Sequence, residues 1–326
     1  MRLGAESPDI SIVHDPVIVA AGTGLLAALG IGPALVTGVR QLPAERQRTA
    51  WWLLVVGAAV VAVAGDHWSD GPAARFAFAF VIATLPGIVA FLAWRTVLAS
   101  AVVSLVPLYF AIPALVEGRT LFVPATALDG VVPLEPVWTI VYGSLFAVVL
   151  LPLLIVRDDD LFRRAMKAYL TVIVIAYVGF LAYPTVGPRP AAVPGEGFLV
   201  WCLRLTYSLD VPYNCFPSLH VAHSFVSALA CYRVHRKVGI AAVTWASLVA
   251  ASTLFTKQHY AADVIAGALS AYFAYILFLR RHPRELIAES TRRQAPVLAL
   301  GVVAFFGVVV AGVWVLYRAE MAGPLG

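Results

Sequence analysis

Apolar runs of about 20 residues follow one another along the whole 326-residue chain, separated by short polar connectors. A run of that length suits a helix crossing a hydrocarbon core about 30 Å thick. Ten spans are predicted, at 16–39, 50–65, 74–94, 97–116, 137–156, 166–183, 216–235, 239–256, 261–281 and 296–317. The fourth contains Pro107 and Pro113, which predict a kink. Only Trp94–Thr96 divides it from the third, so these two also read as one broken element. The first run is longer than a signal-peptide core and lacks a clear cleavage site, so it reads as a retained span. No internal repeat is evident, which counts against the transporter folds built from repeats.

Composition agrees with this pattern. Sixty-one per cent of residues are apolar, 13% are charged and mean hydropathy is +0.87, whereas about a quarter of a soluble domain is charged. The expected fold is therefore an all-α, polytopic integral membrane helix bundle. The pI near 9.2 does not point to nucleic acid, because the basic residues fall between apolar runs instead of forming a patch. They serve better as determinants of orientation. Connectors 40–49, 95, 157–167, 233–237 and 280–293 hold 16 of the 23 lysines and arginines and 6 of the 18 acids, a balance of +10. The other connectors and both termini balance at −5. The basic set is expected to face the cytoplasm of a cell-membrane protein with both termini outside, which puts segment 184–215 and residues 257–263 together on the extracytoplasmic side. Trp51, Trp52, Trp68, Trp94 and Trp138 sit mostly at span ends, as an interfacial belt would. Asp158, Asp159 and Asp160 are consecutive, so on a helix they diverge; a solvated cytoplasmic loop accounts for them better than a metal.

Two short stretches carry candidate chemistry: Cys215-Phe216-Pro217-Ser218-Leu219-His220 and Lys257-Gln258-His259-Tyr260-Ala261-Ala262-Asp263. Ionisable groups at the margin of a membrane helix are costly, which favours a functional reading. Asn214 or Cys215 is expected near a helix cap, with Pro217 in the first turn. The free N–H groups there would cradle phosphate. His220, His223 and Ser224 share a helix face by their i, i+3, i+4 spacing. His259 and Asp263 are four apart, so the carboxylate can fix the imidazole tautomer and leave the other nitrogen to attack. Lys257 adds positive charge, and Arg189, in Gly187-Pro188-Arg189-Pro190, offers a guanidinium fork to phosphate oxygens. Blander readings stand beside these. His259 and Asp263 also suit a structural pair, His223 a packing residue, Lys257 an interfacial side chain, and Cys202 with Cys215 a bridge bracing the outer segment. No CxxC or HExxH spacing suggests a metal site.

Pro-Ser-Leu-His followed by His259-Tyr260-X2-Asp263-Val264 resembles the type-2 phosphatidic acid phosphatase superfamily, in the form similar to the branch containing inositol phosphorylceramide synthases. The resemblance covers roughly residues 180–280. It implies His259 as a nucleophile forming a phosphohistidine, Asp263 as its orienting group and His220 as general acid on the leaving alkoxide. Arg189, Ser218 and the helix-start amides would bind phosphate, without metal or other cofactor. Two positions depart from the pattern: Ala182 stands where a lysine is usual, and Thr253 follows Ser252 where arginine is usual. Lys257, one turn beyond Thr253, is the candidate replacement cation, and His223 is counted with the substrate-binding set. Residues 136–326 are then expected to form a six-helix phosphatase-like core, with residues 1–135 as N-terminal spans of unassigned role.

The expected protein is a metal-independent lipid phosphatase or phosphotransferase working on a lipid-linked phosphate among membrane lipids. Either water or an alcohol, such as a sugar, serves as acceptor, and nucleic acid is not a partner. The alternative is a lipid or phosphate-ligand transporter with a degenerate phosphate site. A soluble vanadate haloperoxidase is excluded by the apolar spans.

Overall fold

The computed structural model describes residues 112–116, 118–210 and 212–321, with isolated positions 43, 45–47, 102, 105 and 109. The first three predicted spans, most of the fourth, and Trp51, Trp52, Trp68 and Trp94 lie outside the described residues. The helices are α1 (Ile112–Val116), α2 (Ala127–Val131), α3 (Trp138–Gly143), α4 (Leu145–Ile155), α5 (Asp159–Ala182), α6 (Phe198–Leu209), α7 (Leu219–Val234), α8 (Arg236–Phe255), α9 (Ala261–Ala274) and α10 (Glu289–Met321). A π-helical turn, Tyr275–Leu279, extends α9. Among the described residues the β pairing consists of isolated bridges from Thr185 to Phe122 and to Asn214. The expected all-α membrane bundle is what forms.

Five elements are long and apolar enough to cross a bilayer: α3 with α4 (Trp138–Ile155), α5, α8, α9 with its π turn, and α10. Each matches a predicted span, although two begin a turn or two earlier than hydropathy indicates. In α5 the reason is a cap: Asp158 accepts from the Leu161 amide at 2.7 Å, and Asp159 and Asp160 suit the positive end of the helix dipole. In α10 a Glu289–Arg293 pair at 2.6 Å supports the first turn. The predicted span 216–235 is α7, only 16 residues long. It packs against α4, α5, α8 and α9. Its buried Ala222, Ser224, Ser227, Ala228 and Ala230 let those neighbours approach closely. Gly267 of α9 permits the tightest approach at the site end, because a Cβ there would lie 2.4 Å from the Ser218 carbonyl oxygen.

The outer faces are apolar. Ile265, Leu269, Tyr272 and Phe273 on α9, and Val297, Leu300 and Val308 on α10, are exposed. In water this would be an aggregation surface; against lipid tails it is ordinary. The chain is a membrane protein.

The helices alternate in direction, so the connectors gather at two ends. At one end His282, fully buried, lies between two carboxylates, with Nδ1 3.2 Å from Asp160 and Nε2 3.5 Å from Asp158. Arg233 donates to the His282 carbonyl, and Arg164 pairs with Asp160 at 2.7 Å. The aspartate run is thus the capped start of α5 and half of a latch, where a loop was expected. His282→Ala should lower the unfolding temperature in detergent by about 2–8 °C, for roughly 1–2 kcal/mol of lost hydrogen bonding. The opposite end of the bundle, where both candidate motifs lie, should keep its geometry.

At that other end, segment 183–218 and loop 256–260 meet. Part of this segment is helical, which hydropathy alone did not predict: α6 has 12 residues, too few to span. Arg204 anchors it by donating to the Val193 and Gly195 carbonyls at 2.8 Å. Cys202, Cys215 and Cys231 are free and buried. The bridge considered between Cys202 and Cys215 is not formed. Cys202 faces the interior from α6, while the Cys215 thiol donates to the Pro212 carbonyl at 3.3 Å.

Candidate active site

The first motif shapes the start of α7. Ser218 is the N-cap, with its Oγ accepting from the Val221 amide at 3.3 Å. The expectation of a cap at Asn214 or Cys215 with Pro217 inside the helix is corrected: Pro217 precedes the cap and His220 is the second helical residue. A serine hydroxyl satisfies an orphan amide well, whereas Asn214 is committed to its bridge with Thr185 and to the Tyr109 carbonyl. The Ser218 amide donates to the Asp263 carbonyl at 3.0 Å, which stitches the two motifs together.

The second motif is a tight loop between α8 and α9. The Thr253 carbonyl accepts from the Gln258 amide at 2.9 Å and the His259 amide at 3.2 Å. Asp129 caps α9 by accepting from the Ala261 amide at 2.8 Å. Lys257 takes a left-handed conformation, φ 53°. Its ammonium donates to the Val132 carbonyl at 2.5 Å and the Asp129 carbonyl at 3.3 Å. The expectation that Lys257 replaces the missing phosphate-binding cation therefore meets a different geometry: the backbone turn sends its charge to carbonyls around α2.

The predicted catalytic residues come together. His220 Nδ1 and His259 Nε2 are 3.1 Å apart, with the rings edge to face. His259 Nδ1 lies 3.4 Å from Asp263 Oδ2, and that oxygen also accepts from the Tyr260 amide at 2.9 Å. His259 and Asp263 are almost completely buried. Asp263 Oδ1 has no hydrogen-bond partner. His223 lies one turn along α7 with its ring against Tyr169, and its Nε2 is buried without a hydrogen-bond partner.

Arg189 is held on several sides. Nε and Nη2 donate to Gln258 Oε1, and Nη1 donates to the Tyr207 carbonyl at 3.1 Å and the Asp210 carbonyl at 2.9 Å. A guanidinium has five N–H groups, so four are spent inside the protein and one, on Nη2, remains. It points toward Asp210 Oδ2 at 3.6 Å, beyond hydrogen-bond range. Because Gln258 accepts through Oε1, its Nε2 is left as a buried donor without an acceptor.

Three further residues were not legible from the motifs. Asp210, just after α6, accepts from Tyr109 at 3.0 Å and Tyr142 at 2.9 Å, and its Oδ2 lies 3.7 Å from His220 Nε2. Burial works against this carboxylate, but His220, Arg189 and the two hydroxyls outweigh it and hold its pKa below the ordinary value. The available signal was a lone carboxylate at the end of the outer segment, on the same side as both motifs. Burial, with Asp263 nearby, pushes the Cys215 thiol well up, in keeping with its role as a donor. Sγ of Cys215 with ligand atoms of His259 and Asp263 falls within 4.8 Å, a set of types that suits zinc. Any metal held there would take His259 out of nucleophilic use.

Residues 116–277 match the sequence model of the PAP2 superfamily. Over this region the chain belongs to the PAP2 superfamily. The matched region takes in Arg189, both histidine motifs, and the helices from α2 through most of the α9 extension. The match is to the superfamily and does not speak to a branch within it. Comparison with curated proteins and with solved structures returned no match. As a PAP2 member with apolar spanning helices, the protein is a phosphatase-type phosphoesterase of a membrane.

Proposed function

We propose that the protein transfers a phosphoryl group from a lipid-linked phosphate through a phosphohistidine on His259. The observation that carries this reading is the facing pair, His220 Nδ1 to His259 Nε2 at 3.1 Å, with Asp263 behind His259. Asp263 holds Nδ1–H, so the Nε2 lone pair is available to attack phosphorus. His220 stands opposite as the acid for the leaving oxygen. The phosphate oxygens are held by the remaining N–H of Arg189, the free amide of Gln258, the Ser218 hydroxyl and the first amides of α7. Lys257 and His223 support the loop and the helix that carry these groups. The site's end of the bundle is opposite the arginine-rich turns at 157–164, 233–237 and 280–293, so the charge rule assigns it to the extracytoplasmic face. Lipid-facing helices flank the core, which favours a lipid-borne substrate, with water or an alcohol as acceptor.

The test uses the purified protein in detergent with a panel of lipid phosphates, following both phosphate release and transfer to added alcohols. Turnover should be inhibited by micromolar vanadate, and acid-labile phosphate should be recovered on His259 by mass spectrometry. Absence of turnover on the panel, together with indifference to vanadate, would sink the reading.

A further inference from the structure

The loop that carries His259 is anchored on both sides by a segment that belongs to neither motif. Before His259, the Lys257 ammonium donates to the Val132 carbonyl at 2.5 Å and the Asp129 carbonyl at 3.3 Å. After it, the Ala261 amide donates to Asp129 Oδ1 at 2.8 Å. One residue, 132 positions upstream of Ala261, thus touches both flanks of the candidate nucleophile. Its carboxylate is itself fixed. Oδ2 accepts from the Thr126 amide at 2.6 Å and the Thr126 hydroxyl at 2.7 Å, which leaves Oδ1 for α9. The rest of the segment docks on the end of α8: the Glu135 amide donates to the Phe255 carbonyl at 2.9 Å, and the Trp138 ring stacks on Phe255 at 4.8 Å.

This contact matters because α9 begins without a cap from its own N-cap residue. A helix start has four amides that no carbonyl within the helix accepts. The N-cap residue here is Tyr260, whose side chain makes no capping hydrogen bond. Two carboxylates divide the task. Asp263 Oδ2 takes the Tyr260 amide at 2.9 Å and faces His259 Nδ1 at 3.4 Å. Asp129 takes the next amide, that of the buried Ala261. Without Asp129 this amide would be orphaned, at the cost that any buried donor without an acceptor carries. Asp263, two residues on, has an acceptor to spare, since its Oδ1 lacks a hydrogen-bond partner. Turning that carboxylate toward Ala261 would draw Oδ2 away from His259.

We infer that Asp129 is a positioning residue: by taking the Ala261 amide it fixes the loop bearing His259 and leaves the Asp263 carboxylate to orient that imidazole. The inference rests on the proposed phosphoryl transfer, in which His259 attacks. The hydrogen-bond partners of Asp129 are Thr126, Lys257 and Ala261, none of them a group assigned to phosphate. Its contribution is therefore to the line of attack and should appear in kcat more than in KM. A displacement of about 1 Å at the attacking nitrogen is enough for a loss near 10²-fold.

The test compares wild type in detergent with Asp129→Ala, Asp129→Asn and a control, Asp158→Ala. Asp158 caps α5 by the same chemistry at the opposite end of the bundle, so both alanine variants should lose a few degrees of unfolding temperature. On the best substrate of the lipid phosphate panel, Asp129→Ala should lower kcat about 10²-fold with KM changed only a few-fold, whereas Asp158→Ala should keep both. Inhibition of Asp129→Ala by inorganic phosphate should change only a few-fold, because Arg189, Ser218 and the first amides of α7 stay in place. Inhibition by vanadate, which takes the place of the transferred group and bonds to the attacking nitrogen, should weaken about 10-fold or more. Asp129→Asn keeps an oxygen for the Ala261 amide and should restore most of the lost kcat. Hydrogen exchange of segment 256–263 supplies a readout independent of turnover: it should quicken in Asp129→Ala and hold the wild-type rate in Asp158→Ala. Unchanged exchange in Asp129→Ala, or a kcat loss no larger than that of Asp158→Ala, would overturn the inference. Parallel losses of phosphate and vanadate inhibition would do the same and leave Asp129 a structural role. Should Asp129→Ala fail to fold, Thr126→Val frees the same carboxylate; the same pattern at smaller size is expected, and its absence counts against the inference. A wild type inactive on every lipid phosphate, with the loop still loosened in Asp129→Ala, would instead sink the phosphoryl-transfer reading alone.

Discussion

His259→Ala is expected to lower turnover by about four orders of magnitude or more while leaving a folded protein. The size of the loss follows from the chemistry: alanine has no lone pair with which to form the N–P bond, and no other side chain takes the same position behind the phosphate. His220 is the nearest imidazole, but its outer nitrogen is turned to Tyr142, and using its inner one would remove the acid. The fold should survive because Asp263 keeps the Tyr260 amide as a partner, and the Asp263 carbonyl keeps Ser218. Asp263→Asn should cost less, since the attacking nitrogen remains and only its tautomer is lost. The measurement is phosphate release by each variant, with vanadate binding as a check that the pocket persists. Activity within tenfold of wild type in His259→Ala would remove it from the nucleophile's role.

Gly267→Ala should reduce activity about 10²-fold by pushing on the backbone of Ser218 at the start of α7, with every side chain of the site retained. A Cβ at this position would sit 2.4 Å from the Ser218 carbonyl oxygen and 3.2 Å from the Val221 Cβ. Both neighbours are at the rigid start of α7, so the helices must part by the better part of an ångström. His220 rides on α7, and the loop bearing His259 leads into α9, so the separation opens the histidine pair. Misplacement of about 1 Å is enough for a 10²-fold loss. A lowered unfolding temperature should accompany it, because the buried interface loosens. Kinetics would separate this from a binding defect: kcat should fall more than KM rises. Full activity in Gly267→Ala would mean that the approach of α7 and α9 does not set the site.

The parts of the site legible from sequence are those whose geometry is local. Four-residue spacing on a helix is enough to bring Asp263 behind His259, and serine at a helix start is enough to predict an amide-lined turn. Even there the cap moved to Ser218, because tertiary demands on Asn214 removed the competing candidate. Lys257 is instructive in the opposite sense. Helical periodicity carried on from Thr253 would have aligned it with the expected arginine position, but α8 ends at Phe255 and a left-handed turn at Lys257 redirects the side chain. Periodicity carries no information past the end of the element that has it. The aspartates 158 and 160 were likewise read as a solvated loop because their partner, His282, is more than a hundred positions away.

The sequence alone determined that the chain is a helical membrane protein, which apolar runs become the five helices long and apolar enough to cross a bilayer in the described region, and that both histidine motifs meet at one end of the bundle. These follow from hydropathy, charge placement and the parity of successive crossings, all additive properties of short segments. Tertiary structure alone decided that Asp210 and Tyr142 extend the line of histidines, that Arg189 spends four of its five hydrogens on the protein, and that Gln258 keeps a free amide. Those contacts join residues separated by 18 to 78 positions. Which polar groups share a buried pocket depends on how the helices pack, and Gly267 and the small residues of α7 set that distance only once their neighbours are in place.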